Sequence, residues 1–226
     1  EYNCPSVSPQ GNNEPFLIKD LHKWIEYAHK KGFIDIMLNN NGSALTKKRA
    51  QQILDSGLTR LRFSLDAFNN ETYSKVRVGS IALDRVKKNI FNFLELKEKG
   101  GYKLPIVGVS FCVLKQNENE VDEFKNYWKN IVDIVSIQRF VPPTLNKEKY
   151  KHFYSSDQYN EKPMDTFNCV QPFQRIIIRN DLIYPCCESY NKNLVLGSIK
   201  NTTIYDAWHS DKMNEIREIH KAGEYK

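Results

Sequence analysis

From Ile18 to Gln138 the chain alternates helix-like and strand-like stretches with short polar or glycine punctuation, and this alternation does most to narrow its possible folds. Such a pattern predicts βα units and a parallel sheet. Leu21, Trp24, Ile25 and Ala28 recur at three- and four-residue spacing behind Asp20, so 19–31 reads as an amphipathic helix ended by Gly32. The apolar run 33–38, closed by Asn39-Asn40-Asn41-Gly42, is a strand and a turn. A helix over 47–56 stops at Gly57, and 61–65 is the next strand. The long helix 81–99 sets Val86, Ile90, Phe93, Leu94 and Leu96 on or near one face. Strand 105–114, helix 119–130 and strand 131–137 complete the alternation. A Rossmann sheet would want a Gly-rich first turn, which is not here, so the expected fold is α/β, an open or partial (β/α) TIM-like barrel.

Pro142-Pro143 breaks the pattern, and 142–168 is rich in Lys, Tyr, Ser and Asp without a clear period. It reads as a linker between a barrel over 1–141 and a small domain over 169–226. In that domain, 173–179 and 182–185 form a predicted β-hairpin across Asn180-Asp181, residues that tolerate the positive φ of a two-residue turn. Helices are expected over 204–208 and 213–219.

With 40% hydrophobic and 27% charged residues, the 226-residue chain can bury a sizeable core, and no apolar run reaches the roughly 18 residues of a membrane span. No signal peptide is visible, so a cytoplasmic location is expected, with no membrane partner. The net charge of +6 is spread as Lys along helical stretches, which suits a solvated surface better than a nucleic-acid patch. The five Cys, three of them within a 19-residue window, favour metal ligation over a disulfide framework.

Two constellations carry chemistry. Glu14, backed by Pro15 and preceded by Gly11, suits capture of an ammonium group, although Glu-Pro alone is also an ordinary helix N-terminal cap. Cys169, Cys186 and Cys187 are candidate thiolate ligands, with buried core cysteines as the plain alternative. Adjacent strand residues point to opposite faces, so Cys186 and Cys187 would not bind one cluster from a regular strand. The five His show no metal spacing, and no Ser-His-Asp, Walker or zincin pattern occurs.

Gly11-Asn12-Asn13-Glu14-Pro15, Asn40-Asn41-Gly42, Ser64-Leu65-Asp66-Ala67 and Tyr73 to Arg77 together resemble the motifs of the radical S-adenosylmethionine (radical SAM) superfamily in order and spacing. The run from Cys169 through Pro185-Cys186-Cys187 and Leu196-Gly197-Ser198-Ile199 to Arg217 and His220 resembles the SPASM-type auxiliary iron–sulfur domain of such enzymes. The resemblance implies S-adenosylmethionine held by Glu14, Asn41, Ser64, Asp66 and Arg77. It implies a [4Fe-4S] cluster that generates a 5′-deoxyadenosyl radical, an auxiliary [4Fe-4S] cluster on Cys169 with Cys186 or Cys187, and a flavodoxin- or ferredoxin-type electron donor. The substrate class it implies is broad: a peptide, a sugar or another small molecule, modified or oxidised by an oxidoreductase or maturase-type enzyme. Asn13, Asn40 and Ala67 depart from the family's Gly, Thr and Gly. No Cys-x-x-x-Cys-x-x-Cys triplet occurs in the sequence, and the Cys-x-x-Cys that commonly follows the Arg217 to Gly223 segment is not reached. This is read as truncation at both ends, with a non-catalytic scaffold or a zinc-stabilised module as rival readings.

Overall fold

The structure, a computed structural model, describes residues 4–11, 13–142, 148–161, 169–187 and 192–223. Asn12 of the Glu14 loop, much of the 142–168 stretch including Pro143, and the last three residues lie outside them. The chain forms two compact units that divide between residues 161 and 162.

The larger unit carries five parallel strands, β1 (Ser6–Val7), β2 (Asp35–Asn40), β3 (Arg60–Ser64), β4 (Ile106–Val113) and β5 (Ile134–Arg139), in the spatial order in which they occur along the chain. Between them run α1 (Leu21–Lys30), α2 (Lys47–Asp55), α3 (Asn70–Val76) and α4 (Leu83–Lys99), with α5 (Val121–Trp128) before β5. Parallel crossovers are right-handed almost without exception, so strands laid down in unbroken order keep their helices on one face. Burial shows which face. Ile36, Leu38, Leu61, Phe63, Val107, Val109 and Phe111 pack in one cluster with Ile25, Ile53, Val86, Phe93 and Trp128 of the helices. The alternate residues, among them Asn39, Arg62, Ser64 and Ser110, lie on the other face by the two-residue period of a strand. The partial (β/α) barrel expected from the sequence is the fold found.

Local chemistry sets the element ends. Thr46 Oγ1 accepts from the Arg49 amide at 3.3 Å to start α2, and Gly57 after its end takes φ +85° with the His29 ring 2.5 Å from where a Cβ would stand. The sequence reading missed α3, whose start is fixed by Asn69 Oδ1 accepting from the Thr72 amide at 2.9 Å. Residues 148–161, within the stretch read as a linker, carry a helical turn (Glu148–Tyr150) and α6 (Ser156–Asn160). They are tied to the barrel by the Lys115 amide donating to Phe153 O at 3.1 Å and by Ser156 donating through its amide and hydroxyl to the Glu118 carboxylate.

The smaller unit holds α7 (Gln171–Gln174), β6 (Ile177–Arg179), β7 (Leu182–Tyr184), β8 (Gly197–Ser198), α8 (Ile204–Trp208) and α9 (Asp211–Ala222). Asn180 and Asp181 turn the hairpin at φ 49° and 64°, the left-handed pair that a two-residue turn needs. Two details differ from expectation. Residues 173 and 174 are helical rather than extended, because Pro172 sits in the first turn of α7, where its missing amide costs nothing. A third strand, β8, pairs with β7, with Leu196 N donating to Ile183 O at 2.8 Å. Two residues are too few to leave a period in the sequence. Arg217 of α9 donates to the carbonyls of Pro172 at 3.1 Å and Trp208 at 2.9 Å while stacking 4.3 Å over the Trp208 ring, so one side chain joins α7, α8 and α9.

Phe63 is fully buried and meets Phe93 edge-on at 6.3 Å between centroids. Phe63→Ala should therefore cost about 3–5 kcal/mol in urea unfolding, whereas Leu17→Ala, at a position 72% exposed, should stay within about 0.5 kcal/mol.

Candidate functional site

The site lies at the C-terminal edge of the parallel sheet, where three loops meet. The loop after β1 is fastened by Ser8 Oγ donating to Met37 O at 2.8 Å and by the Asn39 amide donating to Gln10 Oε1. Glu14 follows as the N-cap of a helical turn, Pro15–Leu17, whose Pro15 and Phe16 are buried. The N-terminal cap that Glu-Pro alone suggests is thus the local geometry found. One carboxylate oxygen accepts from the Phe16 amide at 3.1 Å and the other from the Asn41 amide at 2.8 Å, so Glu14 joins the loops after β1 and β2. Each oxygen keeps a lone pair for a cation. Burial pushes the Glu14 carboxyl above its ordinary value, outweighing those two backbone bonds and the nearby Arg77 and Arg49 charges.

The loop after β2 is built from asparagines. Asn40 is buried, with its Nδ2 donating to Arg62 O at 3.1 Å and its Oδ1 accepting from the Gly42 amide at 2.8 Å. Asn41 spends its side chain on Ser43, leaving its backbone amide for Glu14. Gly42 has φ +72°, and a Cβ there would meet Val86 Cγ1 at 2.8 Å, so only glycine fits. Asn13, standing where the family resemblance leads one to expect glycine, accepts from the Gly11 amide at 3.2 Å.

The loop after β3 holds the third part. Ser64 ends the strand, and Asp66 takes φ 60°, a left-handed conformation that Asp tolerates better than most residues. The Asp66 carboxylate accepts from the Cys112 amide at 2.7 Å and forms an ion pair with Arg77, while its carbonyl accepts from Asn117 Nδ2 at 2.8 Å. Buried Glu120 accepts from the Phe68 amide at 2.6 Å and from Asn69 Nδ2, fixing the rest of the loop to the start of α5. Asp66 is thus a brace behind Arg77, which stands at the C-cap of α3.

An open cleft of about 330 Å³ results, lined by Gln10, Gly11, Asn13, Glu14, Asn39, Asn40, Asn41, Ser64 and Arg77. Of the residues singled out in the sequence, Glu14, Asn41, Ser64 and Arg77 meet in it, and Asp66 supports it. Gln10 and Asn39 were missed. Asn39 was findable, because the two-residue period from Ile36 and Leu38 puts it on the face away from the helices. Glu14 and Arg77 place an anion and a cation in one cleft, a pairing that suits the ammonium and carboxylate of an amino acid.

In the smaller unit Cys169 precedes α7, and Cys186 and Cys187 follow β7. None of the five cysteines forms a disulfide. The hairpin pairing ends at Ile177 and Tyr184, so Cys186 and Cys187 lie in a bend beyond the strand, and the opposite-faces argument has no regular strand to act on. Among the described residues no three His, Cys, Asp or Glu side chains converge as a metal site. No described helix is long and apolar enough to cross a membrane.

Residues 10–127, just over half of the chain, match the profile of the Radical SAM superfamily. The chain belongs to that superfamily. Residues 169–226 match SPASM, an iron–sulfur cluster-binding domain. Among curated relatives, a probable GTP 3′,8-cyclase of Methanococcus maripaludis is 34% identical over 142 residues, 63% of this chain and 45% of that protein. The GTP 3′,8-cyclase of Thermodesulfovibrio yellowstonii is 29% identical over 71% of this chain and 48% of its own length. The chain spans about half the length of the curated relatives it matches. Two solved structures share the fold: Streptococcus suis SuiB bound to S-adenosylmethionine (TM-score 0.71, 16% identity, 95% of this chain and 57% of that one) and anSMEcpe with bound AdoMet (0.66, 14%, 95% and 69%).

The brace can be read through Cys112. Burial, and secondarily the Asp66 charge, push its thiol up to about 11, with Arg77 pulling the other way. Asp66→Asn should move the pH midpoint of Cys112 alkylation by iodoacetamide, followed by mass spectrometry, downward while leaving it above the ordinary thiol value. An unchanged midpoint would show that Asp66 does not act on this strand as drawn.

Proposed function

We propose that this radical SAM protein binds S-adenosylmethionine in the cleft at the C-terminal edge of its sheet and acts on a small-molecule or peptide substrate as an oxidoreductase or maturase-type enzyme. The observation that carries this reading is the convergence of Glu14 and Arg77 in one cleft. In it, Glu14 takes the ammonium of the methionine moiety and Arg77, braced by Asp66, its carboxylate. The Ser64 hydroxyl and the Asn41 loop hold the ribose. SuiB and anSMEcpe, which share the fold, carry S-adenosylmethionine and AdoMet by their descriptions, which supports the assignment. The sequence has no Cys-x-x-x-Cys-x-x-Cys to hold a [4Fe-4S] cluster beside the cleft. S-adenosylmethionine next to such a cluster would supply a hydrogen-abstracting 5′-deoxyadenosyl radical, and the part of the described residues would be to bind, orient and exclude water.

In the same reading, residues 1–141 are the barrel, to which 148–161 of the 142–168 connection are fastened, and 169–226 are the auxiliary domain. Cys169 with Cys186 or Cys187 would contribute to an auxiliary [4Fe-4S] cluster. Those thiols fit the ligand chemistry, but the described residues do not supply a full set, and no step is assigned to that cluster. A flavodoxin- or ferredoxin-type protein would supply the electron. GTP 3′,8-cyclase relatives and a precursor-peptide complex of SuiB bracket the substrate between a nucleotide and a peptide.

The deciding experiment is anaerobic reconstitution of the full-length protein with iron and sulfide, followed by a 5′-deoxyadenosine assay under reduction. A loaded protein that makes none overturns the reading. Glu14→Gln should weaken S-adenosylmethionine binding in calorimetry by about 10–100-fold, the worth of one charged hydrogen bond. The pH dependence follows in sign. Capture needs ionised Glu14, and burial holds its carboxyl above the ordinary value, so affinity should fall on acidification before an exposed glutamate would protonate, and Glu14→Gln should flatten that acid limb.

A further inference from the structure

The face of the sheet turned away from the helices carries two arginines with different circumstances. Arg60 is neutralised, since its Nε donates to Asp35 Oδ1 at 2.7 Å and its Nη2 pairs with the other carboxylate oxygen. The guanidinium of Arg62, two residues on and on the same face, has no hydrogen bond or ion pair among the described residues. It is only partly exposed, and burial together with the Arg60 charge lowers its pKa, so its cationic form is held at a cost.

Its position connects it to the cleft. Ser64, the next residue of β3 on that face, lines the cleft, and so does Asn39, the register partner of Arg62 on β2. On the other side the register partner is buried Gly108, where a Cβ would stand 3.9 Å from Arg62 Cγ and 3.1 Å from Ile134 O, so the stem of Arg62 runs over a position with no room for a side chain. Asn39 adds a second unmatched group, because its Oδ1 is buried without a hydrogen-bond partner. Asn40, the next residue, has both ends of its amide satisfied, so an unmatched amide is not a general property of this loop.

We infer that Arg62 and Asn39 form a substrate subsite on the sheet face beside the cleft: Arg62 receives a phosphate or carboxylate, and Asn39 Oδ1 accepts from a hydroxyl or N–H next to it. The substrate class is then an anionic small molecule with a donor beside its charge, such as a sugar phosphate, a uronate or a nucleotide. Arg62 acts in binding and selection and takes no part in bond making. The assignment of this ligand as substrate rests on the reading of the cleft as the S-adenosylmethionine site.

The test uses the full-length protein, with inorganic pyrophosphate, glucose 1-phosphate and glucose as probes in calorimetry, and S-adenosylmethionine titrated separately. Pyrophosphate and glucose 1-phosphate should bind and glucose should not. Arg62→Gln should weaken both anions by about 10–100-fold, with Arg62→Lys retaining part of the affinity and S-adenosylmethionine affinity staying within about twofold. Asn39→Ala should weaken glucose 1-phosphate more than pyrophosphate. In thermal unfolding without ligand, Arg62→Gln should match or exceed the parent, since it removes an unpaired partly buried charge, whereas an arginine serving only the fold would lower it. Glucose binding as well as its phosphate, an unchanged Arg62→Gln affinity, or a parallel loss of S-adenosylmethionine affinity would each overturn the subsite. Anion binding that depends on Arg62 in a protein that fails to bind S-adenosylmethionine would support the subsite and overturn the cofactor reading alone.

Discussion

Right-handed crossovers applied to strands in unbroken order send the helices of the barrel to one side of its sheet, and the rest of the molecule's chemistry follows from the polar side opposite. A doubly wound sheet reverses its strand order, covers both faces and binds at the reversal point. This sheet has no reversal. Its covered face takes Leu38, Leu61, Phe63, Val109 and Phe111, while the alternate positions of the same strands are Asn39, Arg60, Arg62, Ser64 and Ser110. A polar set of that kind would be costly inside an apolar layer and is tolerable where solvent or a ligand reaches it.

Loops that leave such a sheet need fixing before they can recognise anything, and two carboxylates do this in different ways. Glu14 accepts from the Phe16 amide and from that of Asn41, 27 residues beyond Glu14, so the first and second loops cannot move independently while those bonds hold. Asp66 faces inward, with its backbone held by Asn117, one carboxylate oxygen on the Cys112 amide and the other on Arg77. Removing one member of such a pair costs more than the pair contributes, because the partner remains poorly solvated. The cleft therefore depends on groups outside it, and the strained φ of Asp66 is the local cost of aiming its carboxylate at Arg77.

Much of this was legible because it is periodic. The apolar spacing of residues 21–28 and of 86–93, and the short runs between them, gave the helices and strands of the barrel to within a few residues. The Asn180-Asp181 turn was legible from its φ preference alone. What escaped was short or non-local. The helix α3 spans only seven residues and holds little apolar periodicity, β8 has two residues, and α7 depends on Pro172 being read as a helix start. At the site, Glu14, Asn41, Ser64 and Arg77 could be chosen by resemblance, but their roles could not be ranked. That Asn41 offers its amide while its side chain is spent on Ser43, and that Asp66 braces where Ser64 lines, are facts of placement with no trace in composition or spacing.

The contrast between Arg60 and Arg62 bears on how such a sheet face is used. Both sit on one strand and one face, and Asp35 on the neighbouring strand could serve either only by position: the register sets Arg62 opposite Asn39, four residues beyond Asp35. Had the chain placed an acid at Asn39, the second arginine would have been neutralised as the first is, and the face would be a closed ladder of internal pairs. It has an amide instead, with an unmatched oxygen. A partly buried charge retained without a counter-ion is destabilising in the isolated fold, so it persists more readily where a ligand regularly supplies the missing anion than where nothing does.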